Sequence, residues 1–421
     1  VAAALAATAA VGVGARVARA ELERRGQRRR LRKQRRFGLL PNERPGEGLK
    51  RVALGQLDLA IDQLVGGPPD SAAVHETRKA LKRLRALVRL LEGSLGTGVL
   101  SVERETLRDV GRRLAAARDA EVLLGSFEDL LERGPRKLAR RRGVEQLRQR
   151  LEQERDSAQA RLAGDAVTRM QVLGELHAMR ARVPGWPLPD DAGLEQLEAG
   201  VQRIYRQGRR RHRHAAKARG ADRGRALHEW RKRVKDLRYV AEMLERGQPR
   251  GGRERRRARA RRKQLERAQR RLHRIATRAD DLGEVLGSEH DLAVLAERID
   301  SAAELRRGSA RRLRMLIRRR RRELRRQALR EGERLYGRKP RRFVRRVRGA
   351  YAPPRSVDAD HGQLALAPWQ RNGHLLAGRA PQQGRGEWGI GGQAPFPRSG
   401  IVRADDAPAL LRSLLVPHDH G

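Results

Sequence analysis

The chain contains no cysteine, so thiol catalysis, disulfide staples and cysteine-held zinc are excluded. Aromatic residues make up only 3%, a thin supply for the stacking platforms that hold single-stranded nucleic acids. No apolar run approaches the roughly 20 residues that span a bilayer. Alternating β-branched runs are also missing, which argues against sheet. Acid is scarce as well: 51 Asp and Glu face 97 Lys and Arg, a formal net charge of +46 in 421 residues. Such an excess repels itself, disfavours compaction, and calls for an anionic partner: nucleic acid, an anionic membrane surface, or another polyanion.

What remains is helical periodicity with short interruptions. Residues 48–65 predict a helix that buries Leu49, Val52, Leu57, Ile61 and Leu64, and residues 66–70 (Gly-Gly-Pro-Pro-Asp) end it. Ser71 is placed to cap the next helix, which runs to about residue 93. Further helices are expected over 102–118, 120–131 and 137–162. Residues 184–190 (Pro-Gly-Trp-Pro-Leu-Pro-Asp) form the strongest internal loop. Helices follow over 193–217, 224–245, 253–286, 290–299 and 302–334. Residues 1–42 read as an apolar and then basic leader, poorly ordered, with at most a weak membrane-surface association. Residues 347–421 are rich in Gly, Pro and Gln with nearly balanced charge, and read as a mostly disordered tail. With no basic n-region ahead of its apolar start, the chain is expected in the cytoplasm.

Two motifs recur in the same order. The first is His75-Glu76-x-Arg78-Lys79-x-x-Lys82-x-Leu84-Arg85, repeated as His228-Glu229-x-Arg231-Lys232-x-x-Lys235-x-Leu237-Arg238. The second is Ala117-Arg118-Asp119-x-x-Val122-Leu123, echoed by Glu289-His290-Asp291-x-x-Val294-Leu295. Their offsets are 153 and 172 residues, and the difference fits an Arg- and Gly-rich insertion around residues 248–262. Two ordered motifs indicate an internal duplication, with halves at about 43–183 and 191–346.

The repeated residues are chemically one-sided. At about 100° per residue, His75, Arg78, Lys82, Arg85 and Arg89 fall in a stripe about 80° wide. Leu81, Leu84, Leu87, Val88 and Leu91 occupy the other side. His228, Arg231, Lys235 and Arg238 repeat the stripe, backed by Val234, Leu237, Val240 and Leu244. Arg89 has no counterpart, because Glu242 stands at the equivalent position. The ordinary fate of helical Lys and Arg is a solvated face, but such a face intersperses acids about four residues away. The first stripe holds no acid. A single-sign rail concentrates anions along a line. Lysine supplies point charge and arginine can hold two oxygens.

These motifs resemble those of the CHAD family, named for conserved histidines in an α-helical domain, over about residues 43–346. The resemblance implies an all-α fold: two pseudosymmetric antiparallel helical bundles around a basic central groove or pore, with no sheet. It implies binding of inorganic polyphosphate and, in some members, association with polyphosphate granules. Carried over by position, His75, Arg78, Lys82, Arg85 and Arg89 line one half of the site. His228, Arg231, Lys235 and Arg238 line the other. Some members carry an N-terminal triphosphatase barrel with a Glu-x-Glu-x-Lys strand. Glu21-Leu22-Glu23 echoes it only superficially, and no such domain is expected within residues 1–42.

Lys79, Lys232, Arg118, Asp119, His290 and Asp291 are candidates for the surrounding shell. Asp119 and Asp291 are expected either to cap a helix or to orient a rail arginine through a buried ion pair. Each rail histidine is expected to donate to phosphate and gain a proton on binding, so that affinity rises as pH falls through about 6.5. No metal site, cofactor or catalytic residue is expected. His212 and His214 sit among arginines that repel cations, and residues two apart do not share a helix face. The rival reading is a basic helical protein that binds nucleic acid without sequence preference, with nucleic acid as a weaker or competing ligand.

Overall fold

In a computed structural model, the described residues are 37–40, 43–188, 194–245 and 256–350. Most of the expected leader, much of the insertion around 248–262 and the tail from 351 onward lie outside them. The described chain is all-α, with twelve helices and no strand. No helix among these residues is long and apolar enough to cross a membrane.

Helix α1 (Pro45–Val65) opens on a proline at its first position, where the missing N–H costs nothing. Helix α2 (Ser71–Leu90) is capped by Asp70, whose carboxylate accepts from the Ala73 N–H at 2.7 Å. Ser71, the expected cap, instead donates to Glu121 at 3.0 Å. Helices α3 (Thr97–Arg113) and α4 (Ala116–Glu132) follow. The single helix expected over 137–162 is broken into a turn, α5 (Arg136–Ala139), and α6 (Arg142–Gly164). Helix α7 (Ala166–Arg182) leads into the buried Trp186.

Past the 184–190 loop come α8 (Leu194–Lys217) and α9 (Asp222–Leu244). Helix α10 (Arg256–Asp300) is continuous where two helices were expected, and α11 (Arg307–Tyr336) and α12 (Pro340–Val347) complete the chain order. Gly287, read from sequence as part of a break, lies inside α10. A Cβ there would come within 2.9 Å of the Arg231 guanidinium. The glycine therefore gives room for a rail arginine, at the ordinary helix cost of about 1 kcal/mol.

Two apolar cores hold these helices. The larger joins α1, α2, α3, α7, α8, α9, the first part of α10, the end of α11 and α12 around Leu84, Leu87, Tyr205, Trp230 and Tyr336. The smaller joins α4, α5, α6, the end of α10 and the start of α11 around Phe127, Leu147, Leu295 and Leu313. Neither core divides at the 184–190 loop; each draws on both sequence halves. The apolar backs of α2 and α9 (Leu81, Leu84 and Leu87; Val234, Leu237 and Leu244) are at most 1% exposed. Each such side chain contributes about 1.5–3 kcal/mol. Burying these backs fixes the rotation of both helices, and with it the direction of the two cationic stripes.

Candidate functional site: a cationic cavity between two helices

Helices α2 and α9 pack against each other, and their stripes open into one cavity of about 990 Å³. Thirteen of the fifteen residues singled out by sequence line it. From α2 come His75, Arg78, Lys82, Arg85 and Arg89, and from α9 come His228, Arg231, Lys232 and Lys235. Helix α4 adds Arg118 and Asp119, and α10 adds His290 and Asp291. Two of the fifteen are elsewhere. Lys79 pairs with Glu76 at 3.3 Å. Arg238 is drawn to Glu242, at 2.8 Å, and to Asp280, and lies over the Tyr239 ring. Glu242 is the residue standing where the first repeat has Arg89, so the substitution that removes one cation from the second rail also neutralises another.

The cavity also takes Arg104 and Arg108 from α3, and Arg233, Asp236 and Glu284. Sequence reasoning missed Arg104 and Arg108 because α3 carries no copy of the repeat. Its signal was a basic face on a helix next in order to the first rail. In all, eleven Lys and Arg side chains face four carboxylates.

The rail arginines are held, and Lys232 pairs with Glu229 at 2.7 Å, while Lys82 and Lys235 are not held. Arg78 donates to the Leu114 carbonyl at 2.7 Å, and Arg85 to the Leu107 carbonyl at 2.6 Å. Leu114 is the C-cap of α3, where carbonyls lack intrahelical donors and cations are favoured. Gly111 makes this possible, since a Cβ there would overlap the Arg85 guanidinium. Asp119 lies 3.8 Å from Arg78, and Asp291 lies 3.8 Å from Arg231. Both aspartates sit inside helices, not at caps, and so play the ion-pair role. The Asp119 side chain is 71% exposed, so its pair is not the buried one expected. Arg89 reaches across to Asp236 at 3.2 Å and ties α2 to α9.

Lys82 and Lys235 make no hydrogen bond or ion pair with the described residues. Burial first, and the neighbouring charges of Lys235, Arg78 and Arg231 next, bring the Lys82 pKa down to about 7. Burial and then Arg231 bring Lys235 down to about 8. His228 is lowered to about 4, by burial and then by His290, whose ring centre is 4.5 Å away. His75 and His290 are lowered as well, again by burial first and then by Arg118 and Arg231 respectively. Burial raises Asp236 to about 6, against the pull of Arg89 and Arg85. The histidines are thus neutral near pH 7, and Lys82 and Lys235, with Asp236 just below them, titrate around neutrality. Among the described residues no group of three or more His, Asp or Glu could hold a metal ion.

A cavity with this charge, built by two copies of one motif, can bind a polyanion. Residues 51–279 match the family model of the CHAD domain. The chain belongs to the CHAD family. The crystal structure of the CHAD domain from the plant Ricinus communis is similar to it, with a TM-score of 0.46 and 18% identity, covering 75% of this chain and 96% of that one. Among curated proteins none matches this chain.

Proposed function

We propose that this CHAD protein binds inorganic polyphosphate in the cavity between α2 and α9, as a binding protein and not as an enzyme. The observation that carries the reading is the pair Lys82 and Lys235, one from each repeat, neither within ion-pair distance of a carboxylate of the described residues, in a cavity where cations outnumber carboxylates eleven to four. Two mutually repelling, desolvated ammonium groups are costly without an anion between them. A polyphosphate chain supplies charge in a line and presents only phosphate oxygens, which Lys and Arg recognise without base-reading contacts. Arg78, Arg85 and Arg231, held from behind, offer their remaining N–H groups to the same chain. We further propose that the two halves arose by duplication and that each contributes one wall. Through the same cavity the protein would associate with polyphosphate granules.

The test is a binding titration of long-chain polyphosphate at physiological salt. It compares the wild type, Lys82→Ala/Lys235→Ala, and a control that removes exposed cations elsewhere, Arg136→Ala/Lys137→Ala. Each lysine–phosphate contact is worth about 1.5–3 kcal/mol, so the cavity variant should lose at least about a hundredfold and the control less than about threefold. Equal losses in both would reduce the cavity to generic basic surface. Granule association is checked by imaging the same cavity variant, which should leave polyphosphate deposits when the wild type stays on them.

A further inference from the structure

Helix α11 carries a second concentration of charge, on its outward side. Arg311, Arg318, Arg322 and Arg326 are exposed and lie within about 80° of one another. The acids in reach are committed to other arginines. Glu323 pairs with Arg319 and Arg320 at 3.2 and 3.3 Å, Glu331 pairs with Arg334 at 2.8 Å, and the buried Glu289 holds Arg321 and Arg325. The four ridge arginines make no ion pair with the described residues. Beside the ridge runs a groove of about 610 Å³, between the end of α8, the start of α9 and the middle of α11, with Arg223, Arg319, Arg322 and Arg326 on its walls and Ala215 and Ala218 among its lining. The groove shares no lining residue with the cavity between α2 and α9.

We propose that this ridge is a separate binding surface for the phosphate backbone of duplex nucleic acid, so that the protein can hold a duplex outside while polyphosphate occupies the cavity. The ridge assignment stands without the cavity reading; simultaneous binding rests on it. Arg311 to Arg326 spans about 22 Å at about 1.5 Å per residue. A duplex presents one charge per about 1.7 Å of axis, or on the order of thirteen charges over that length. Among the described residues no Phe, Trp or Tyr stands among the exposed large apolar side chains, so base stacking and a single-stranded ligand are disfavoured. Met315 is the one large apolar side chain exposed on the ridge. That is too little to insert into a bilayer or to anchor an acidic protein partner. Rows of arginine without aromatic or apolar anchors suit a ligand recognised through its phosphates alone.

The experiment is fluorescence anisotropy of a labelled duplex of arbitrary sequence with the full chain, across a salt series, with and without one polyphosphate chain per protein. Arg318→Ala/Arg322→Ala/Arg326→Ala should weaken duplex binding at least about tenfold and flatten the slope of log K against log salt by about 3. Polyphosphate affinity should move less than twofold. The equal-charge control Arg136→Ala/Lys137→Ala/Arg140→Ala and the cavity variant Lys82→Ala/Lys235→Ala should keep duplex binding. Circular dichroism checks the fold. If the alanine variant unfolds, Arg318→Lys/Arg322→Lys/Arg326→Lys takes its place; it should keep the salt slope, and losing it there would overturn the proposal. The proposal also fails if the control triple weakens the duplex equally, if one polyphosphate chain displaces the duplex mole for mole, or if the ridge governs binding to phosphatidylserine vesicles and not to duplex. Loss of polyphosphate binding alone, with the duplex retained, would sink the cavity reading and leave the ridge standing.

Discussion

Raising the pH from 6 to 9 should weaken polyphosphate binding by about two to three orders of magnitude. The lysine pair sets that number. In the free protein Lys82 titrates at about 7 and Lys235 at about 8, both far below the ordinary lysine value of 10.5. A bound polyanion returns both to the charged form. At pH 6 both are already ammonium groups, and binding takes up almost no protons through them. At pH 9 each must gain close to one. Linkage then costs about two decades of affinity through Lys82 and about one through Lys235. Internal phosphates of a long chain stay ionised across this range, so the ligand adds no comparable slope. Calorimetry in buffers of different ionisation enthalpy counts the protons directly. The variant Lys82→Arg/Lys235→Arg, charged at every pH used, should bind with a nearly flat profile. Affinity that is unchanged between pH 6 and 9, or an arginine variant that keeps the full slope, would refute the reasoning. The window expected from the histidines alone, near pH 6.5, therefore moves upward, because the cavity depresses the lysines into the neutral range.

Other outcomes follow from the same geometry. Without ligand, the depressed lysines make the unfolded state bind more protons between about pH 7 and 10.5. Stability of the free protein should therefore rise with pH in that window, relative to Lys82→Met/Lys235→Met, as read by thermal unfolding. Gly111→Ala should displace the Arg85 guanidinium and lower polyphosphate affinity by about three- to tenfold, with only a small change in melting temperature, since the better helix propensity of alanine offsets part of the lost Arg85–Leu107 hydrogen bond. Glu103 is fully buried and accepts from Arg182 at 2.8 Å and from the Trp186 indole at 3.2 Å. Glu103→Ala should cost about 2 kcal/mol in urea unfolding and leave polyphosphate binding per folded molecule unchanged.

The rails were legible because chemistry and periodicity coincide in them. A stripe of His, Arg and Lys at helical spacing, backed by leucines and then repeated, fixes both what is buried and what is presented. For Asp119 and Asp291, which lie within the second repeated motif, an ion pair was one of the two roles the sequence left open, and the exposure of Asp119 was not legible. Three features were not. Gly287 looks like a helix break in one dimension, and only the approach of Arg231 explains why a helix tolerates it. Arg238 repeats Arg85 in sequence, but its fate depends on Glu242 one turn on and Asp280 on another helix. Arg104 and Arg108 lie on a helix without the motif, and their place in the cavity follows from packing alone. The division of the cores was also hidden. The loop at 184–190 reads as a boundary, yet α4 to α6 complete their core with α10 and α11 from beyond it.

The most direct measurement is a crystal structure of the protein with a polyphosphate chain bound. The account predicts phosphate density running between α2 and α9, with oxygens within hydrogen-bonding distance of both Lys82 Nζ and Lys235 Nζ. Density that leaves both lysines untouched and lies only on the outer arginines of α11 would contradict it.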